Sequence, residues 1–283
     1  MRILSMEMRK ALRNKWFWGM LLLGCICGFF SFLSRYSVYL DWQREAGILA
    51  EMVDYPYDPD VQANILANSW IGGEVFSLGF ALFFFLFPLM AAVPYAWSYI
   101  QEKRVRYLAL VCANASKKGY YCAKAAAVFM SGGLVLAVPQ LLNAMLVSAA
   151  IPNLVPDSLS LSVASFQESM WSGIFFTKPG VFLLLYIALD FVFGGLIALA
   201  AYGAGFFIRS QAAAMVLPFG IFLAFRQWSQ ADHMLAFEVS PFYFLHAMPV
   251  VGPVNGMIVA AFAFGLACVV FLGLWKGCRD EVL

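Results

Sequence analysis

Apolar residues gather in long blocks along this chain. Six stand out, at roughly 16–34, 75–98, 121–150, 180–207, 211–228 and 252–275. Each is near or above the ~20 residues that a helix needs to cross a ~30 Å hydrocarbon layer. The pattern predicts an all-α integral membrane protein of six transmembrane helices, a single membrane domain over residues 1–283. No stretch between the blocks is long and polar enough for a soluble domain.

The polar connections refine this layout. Over residues 1–15, Leu4, Met8, Ala11 and Leu12 recur at three- and four-residue spacing, with Arg2, Arg9 and Arg13 opposite. That spacing predicts an amphipathic helix lying on the membrane surface among anionic headgroups. Residues 35–74 read as an outer segment with a turn at Tyr55-Pro56-Tyr57-Asp58-Pro59-Asp60. Its acidic residues lack the glycine and distal glutamate of a calcium loop. Residues 229–251 are largely apolar but broken by Pro241 and Pro249. They predict short helices dipping into the outer leaflet and capping the bundle, since irregular backbone at that depth must be buried in protein or face water.

Composition agrees with lipid as part of the solvent. Hydrophobic residues make up 63% of the chain and charged ones 12%. Fourteen lysines and arginines fall in the segments that lie inside if both termini are cytoplasmic, and four outside. The positive-inside rule therefore predicts a multi-pass plasma-membrane protein with cytoplasmic termini. Trp16, Trp18, Trp97 and Trp275 mark the inner ends, and Trp70, Trp171 and Trp228 the outer ends, as an aromatic belt requires. No cysteine falls in an outer loop, so no outer disulfide is expected. Leu22-Leu23-Gly24-Cys25 loosely resembles a lipoprotein cleavage site, but the apolar run continues past it and predicts a retained span.

Few polar residues lie inside the spans. Asp190 is the one acidic residue deep in a block, and such residues are costly. Gln140 and Asn143 lie at similar depth in the third span, predicting a polar cluster of Gln140, Asn143 and Asp190. It can line a path or fasten helices, and fastening is the commoner use. Arg226 sits shallower. Small-residue stripes at Gly194 and Ala198, and at Gly252, Gly256 and Ala260, predict close helix packing within the chain. Enzyme readings find little support. There is no G-x-S-x-G and no paired intramembrane aspartate, while His233 and His246 have no metal-ligand spacing and read as surface or capping residues.

Two segments carry a family resemblance. The first is Glu7-Met8-Arg9-Lys10-Ala11-Leu12-Arg13-Asn14-Lys15-Trp16-Phe17-Trp18, acidic, then basic, then aromatic on the approach to the first span. The second is the inner loop from Glu102 to Lys124, which ends Ser116-Lys117-Lys118-Gly119-Tyr120-Tyr121-Cys122-Ala123-Lys124. Both are similar to parts of the permease subunit of a type 2 ATP-binding-cassette exporter. In that family a glutamate after the second helix opens a short coupling helix. Here Lys103-Arg104-Val105-Arg106 replaces the glycine and small polar residue that often follow it.

The resemblance implies coupling to cytoplasmic ATPase subunits through Glu102, Arg104, Arg106, Tyr107, Leu108, Val111, Ala115, Lys117 and Lys118. It also implies a second permease, identical or related. The chain itself has no G-x-x-x-x-G-K-[ST] phosphate loop, so ATP and magnesium would bind the partner ATPase, and no cofactor this chain. The expected partners are those ATPases, the second permease and membrane lipid, and not nucleic acid. Read as a helix, residues 102–118 put Tyr107, Leu108, Val111 and Ala115 on one apolar stripe. The residues alone allow it to dock on a partner or rest on lipid headgroups. Two other classes stay open: a non-transporting membrane assembly or immunity factor, and a secondary transporter, the latter disfavoured by the shortage of ionisable residues in the spans.

Overall fold

The computed structural model describes residues 2–52, 64–105, 116–157, 168–231, 237–248 and 252–279. Among these the chain is helix and turn, without strand. The helices are α1 (Arg2–Leu12), α2 (Lys15–Met52), α3 (Leu66–Ser69), α4 (Leu78–Ala92), α5 (Ser98–Arg104) and α6 (Lys117–Ala150). They continue with α7 (Ser172–Phe175), α8 (Pro179–Ala204), α9 (Gln211–Ala231), α10 (Pro241–Phe244) and α11 (Gly256–Arg279). Five of them, α2, α6, α8, α9 and α11, are long and apolar enough to cross a membrane. The chain is thus built as a multi-pass membrane protein.

The second apolar block, expected as one span over 75–98, divides. Ser77 starts α4 by accepting a bond from the Phe80 amide, and α4 stops at Ala92. Pro94 follows, without an N–H to continue the ladder. Its carbonyl accepts instead from Asn14 Nδ2 at 3.0 Å, which ties the break to the residue between α1 and α2. After a turn the chain resumes as α5, with Ser98, Tyr99 and Ile100 buried. At 15 residues α4 covers only about 22 Å, less than the hydrocarbon layer.

The first span is longer than its apolar block. At 38 residues α2 runs about 57 Å and carries on through positions expected to be loop. Nothing in 35–52 breaks a helix beyond the single Gly47. Stacked Phe32–Tyr36 and Tyr39–Trp42 pairs and the exposed Asp41–Arg44 pair line its surface. The turn expected at Tyr55–Asp60 lies outside the described residues.

Helices α6 and α8 form the central pair. Gly132 lies so close to α8 that a Cβ there would meet Ala198 Cβ at 2.5 Å and the Gly194 carbonyl at 2.8 Å. The Gly194–Ala198 stripe is therefore an internal seam. The stripe on the last helix works differently. Ala260 is exposed, and α11 meets α8 further along, where a Cβ on Gly273 would reach Gly203 Cα at 2.7 Å.

Basic residues collect at the end of the bundle that holds α1, α5, the start of α6 and the last turn of α11. There the Lys117 Nζ reaches the Cys278 carbonyl at 3.2 Å. The opposite end is closed by folded connections. Leu66 N donates to Pro152 O at 3.0 Å, Met170 N to Val254 O at 2.8 Å, Glu238 N to Pro253 O at 3.2 Å and Ala247 N to Gly72 O at 2.7 Å. The expected cap over 229–251 is one part of this closure. Residues 64–74, read from the sequence as outer loop, are another, and Trp70 is buried among them rather than placed in an interfacial belt. Trp16, Trp18, Trp228 and Trp275 are exposed as a belt requires.

Candidate functional site

Where α1, α5 and α6 converge, two acids and two bases alternate around a ring. Glu7 comes from the face of α1 that also carries Ile3 and Ala11, one helical turn to either side. Glu102 stands on the last turn of α5, and Lys124 two turns into α6. Lys10 closes the figure. The ammonium of Lys124 lies 2.5 Å from Glu102 Oε2 and 3.5 Å from Glu7 Oε2. That of Lys10 lies 3.0 Å from Glu7 Oε1 and 3.4 Å from Glu102 Oε1.

The surroundings make this arrangement necessary. Lys124 and Glu7 have no exposed side-chain surface, so each charge has lost its water and needs protein partners in its place. Tyrosine hydroxyls supply the remaining donors. Tyr95 donates to Glu7 Oε2 at 2.8 Å, and Tyr120 to Glu102 Oε2. The same two rings flank Lys124, at 5.2 and 5.5 Å from its nitrogen, close enough for cation–π attraction. Burial disfavours the ionised form of Glu7. The ammonium of Lys124, with bonds from Lys10 and Tyr95, outweighs that and holds its carboxyl below the ordinary value of 4.5.

Of the expected coupling residues, Glu102 belongs to this ring. Arg104 and Lys118 lie near it in sequence but outside it, and Lys117 reaches α11. Arg106, Tyr107, Leu108, Val111 and Ala115 lie outside the described residues. The reading of Met1 to Lys15 as a surface helix needs one correction. Met8, Ala11 and Leu12 pack inward, but Leu4 is exposed, and the inward face is completed by Ile3 and the carboxylate of Glu7. Glu7, Lys10, Tyr95, Tyr120 and Lys124 were not singled out as a site from the sequence. The available signal was a charge in an apolar place: Lys124 sits inside the block that begins at 121, and Glu7 on the apolar side of α1.

The predicted intramembrane cluster divides into two fastenings. Gln140 Nε2 donates to Asp190 Oδ2 at 2.6 Å, both side chains fully buried, linking α6 to α8. Among the described residues Gln140 Oε1 and Asp190 Oδ1 have no hydrogen-bond partner. Asn143, one turn along, faces elsewhere. Its Nδ2 donates to the Gly28 carbonyl at 2.8 Å, and its Oδ1 accepts from the Ile71 amide at 2.8 Å. It joins α6 to α2 and to the closure at the opposite end. Arg226 does not approach Asp190. Its guanidinium stacks 4.6 Å from the Phe242 ring, and Nε donates to Tyr243 OH at 3.4 Å.

Further polar groups are buried in that closure. Glu74 accepts from Ser31 Oγ at 2.6 Å and from the amides of Phe76 and Ser77. Glu238 accepts from Ser229 Oγ at 3.0 Å, and burial raises its carboxyl above the ordinary range. His246, expected as a surface or capping residue, is buried in this closure beside Phe80, Phe84 and Tyr243. Lost hydration lowers its pKa to about 4. His233 lies outside the described residues.

No family model, no curated protein and no solved structure matches this chain.

Proposed function

We propose that this chain is the membrane-spanning subunit of an ATP-driven export complex, coupled to separate cytoplasmic ATPase subunits at the end that carries α1. The Glu7–Lys10–Glu102–Lys124 ring is the observation that carries this reading. The segment between α5 and α6 is bracketed by Glu102 on one side and Lys124 on the other, and the two are bonded to each other. A push on that segment is passed to α6 through this bond. From α6 it reaches α8 through the Gly132–Gly194 seam. The surface helix α1 is locked to the same point through Glu7. A sixth span, made of α4 with the chain that continues it, would complete a permease, and a second permease would pair with it. The termini and the basic end would face the cytoplasm.

The test is purification of the complex in mild detergent from its native membrane, with the accompanying proteins weighed and assayed for ATP hydrolysis. The expected result is a stoichiometric ATPase, lost when Leu108 and Val111 are both changed to Asp. Reproducible recovery of a well-folded chain with no ATPase would overturn the proposal in favour of a non-transporting membrane factor.

A further inference from the structure

At the end of the bundle that carries α1, a cleft of about 520 Å³ opens between the end of α5, the turn after α8 and the last turns of α11. Lys103, Arg104, Arg209 and Lys276 line it, and among the described residues no acidic one does. Among the described residues none of these four is paired with a carboxylate. Like charges brought together repel unless an anion is shared between them.

Two other residues of this cleft, Phe207 and Ile208, also line a second cavity of about 270 Å³ between α8, α9 and α11. That cavity is wholly apolar, walled by residues such as Ala200, Leu217, Ile221, Phe262 and Leu266. Lys276 stands 4.0 Å from the Phe207 ring, at the junction of the two spaces. Its neighbour Trp275 is about half exposed, as suits an indole at the level of the headgroups. The combined space is therefore cationic at the membrane surface and oily beneath it.

We propose that this is a binding site for one anionic phospholipid, with its phosphate held by Lys103, Arg209 and Lys276 and an acyl chain laid between α9 and α11. A soluble phosphate compound or an acidic peptide would use the cations and leave the groove empty. A lipid matches both halves. The site does not depend on the export reading, and the three cations used for it lie outside the expected coupling set.

Native mass spectrometry of the full chain in detergent tests this with phosphatidylglycerol, phosphatidylcholine of the same acyl chains, and glycerol phosphate. Phosphatidylglycerol should bind more tightly than phosphatidylcholine. Each cation near an anionic headgroup is worth roughly fivefold in affinity, so Lys103→Gln with Lys276→Gln should weaken phosphatidylglycerol about 25-fold and phosphatidylcholine, whose choline cation offsets its phosphate, by less. Ile221→Trp, which fills the groove from an exposed position, should weaken phosphatidylglycerol and leave glycerol phosphate unaffected. This variant decides the matter if the charge variant fails to fold. Equal binding of the two lipids, or unaltered phosphatidylglycerol binding in either variant, would overturn the proposal. So would glycerol phosphate binding as tightly as the intact lipid, which would mark a small-anion site.

Discussion

A lysine without exposed surface keeps its charge only where carboxylates replace its water, and Lys124 has two. Lys124→Met should therefore cost about 3–5 kcal/mol, because Glu7 and Glu102 would then share only Lys10. Unfolding of the purified chain by denaturant in micelles would measure it. Adding Glu102→Gln to Lys124→Met should recover part of that loss. Strictly additive costs would show that the two groups do not interact. The Gln140–Asp190 bond asks for less. Interhelical hydrogen bonds within membranes average about 0.6 kcal/mol and reach about 1.7. Asp190→Asn should stay within that range, and if the proposed export function holds and the pair only fastens helices, transport should persist. The contrast between the two sites is also one of legibility. Asp190 and Gln140 stand out as polar residues in apolar blocks at matching depth, so their meeting could be read from the sequence. Glu7 and Lys124 are 117 positions apart, and hydropathy and spacing along one helix carry no information about such a pair.

Among the described elements, the α6–α8 seam is the most extensive interface. A side chain at Gly132 meets backbone as well as Ala198, and backbone cannot step aside. Gly132→Val should destabilise the chain by about 1–3 kcal/mol, with Gly265→Val, where a Cβ meets nothing, as the silent control. Thermal unfolding of the two variants would separate them. The helices were legible to the extent that they are apolar. The cores of α2, α6, α8, α9 and α11 fall on the blocks read from the sequence. The length of α2 was not, because hydropathy reports depth in the membrane and not helicity. Residues 35–52 are polar enough to leave the bilayer yet contain nothing to end a helix. The division of the second block was written in Pro94, but a proline inside an apolar run can equally mark a kink. The burial of residues 64–74 depends on Pro152, Asn143 and Gly72 meeting partners far away in the chain, so no local pattern announces it.

At the scale of the whole molecule, the two ends are built differently. One end joins its helices through ion pairs, while the other buries rings, backbone bonds and the carboxyls of Glu74 and Glu238, each held by serine hydroxyls and amides. His246 lies in the second and is held neutral, with its pKa lowered from 6.5 to about 4. The unfolded chain therefore binds the extra proton first as pH falls. The stability this group contributes is complete above about pH 6.5 and is lost as pH falls toward 4, about 3 kcal/mol in all. Glu238, whose carboxyl burial raises, contributes in the opposite sense as pH falls, so the comparison must be with a variant. Unfolding of wild type and His246→Phe from pH 7 to 4.5 should show a gap that narrows with acid. A gap constant across that interval would sink the assignment.

The closure at that end also provides a built-in reporter. The amides of Leu66, Ile71, Met170, Glu238, Ala247 and Val254 all donate across segments distant in the chain. None of these bonds belongs to a single helix that could keep it while the segments part. A passage opening on that side must release these protons to solvent deuterium together, while the ladders of α6 and α8 stay protected. If the proposed export function holds, deuterium uptake rising at these amides in concert under ATP turnover of the partner ATPase would time each opening of the bundle from within.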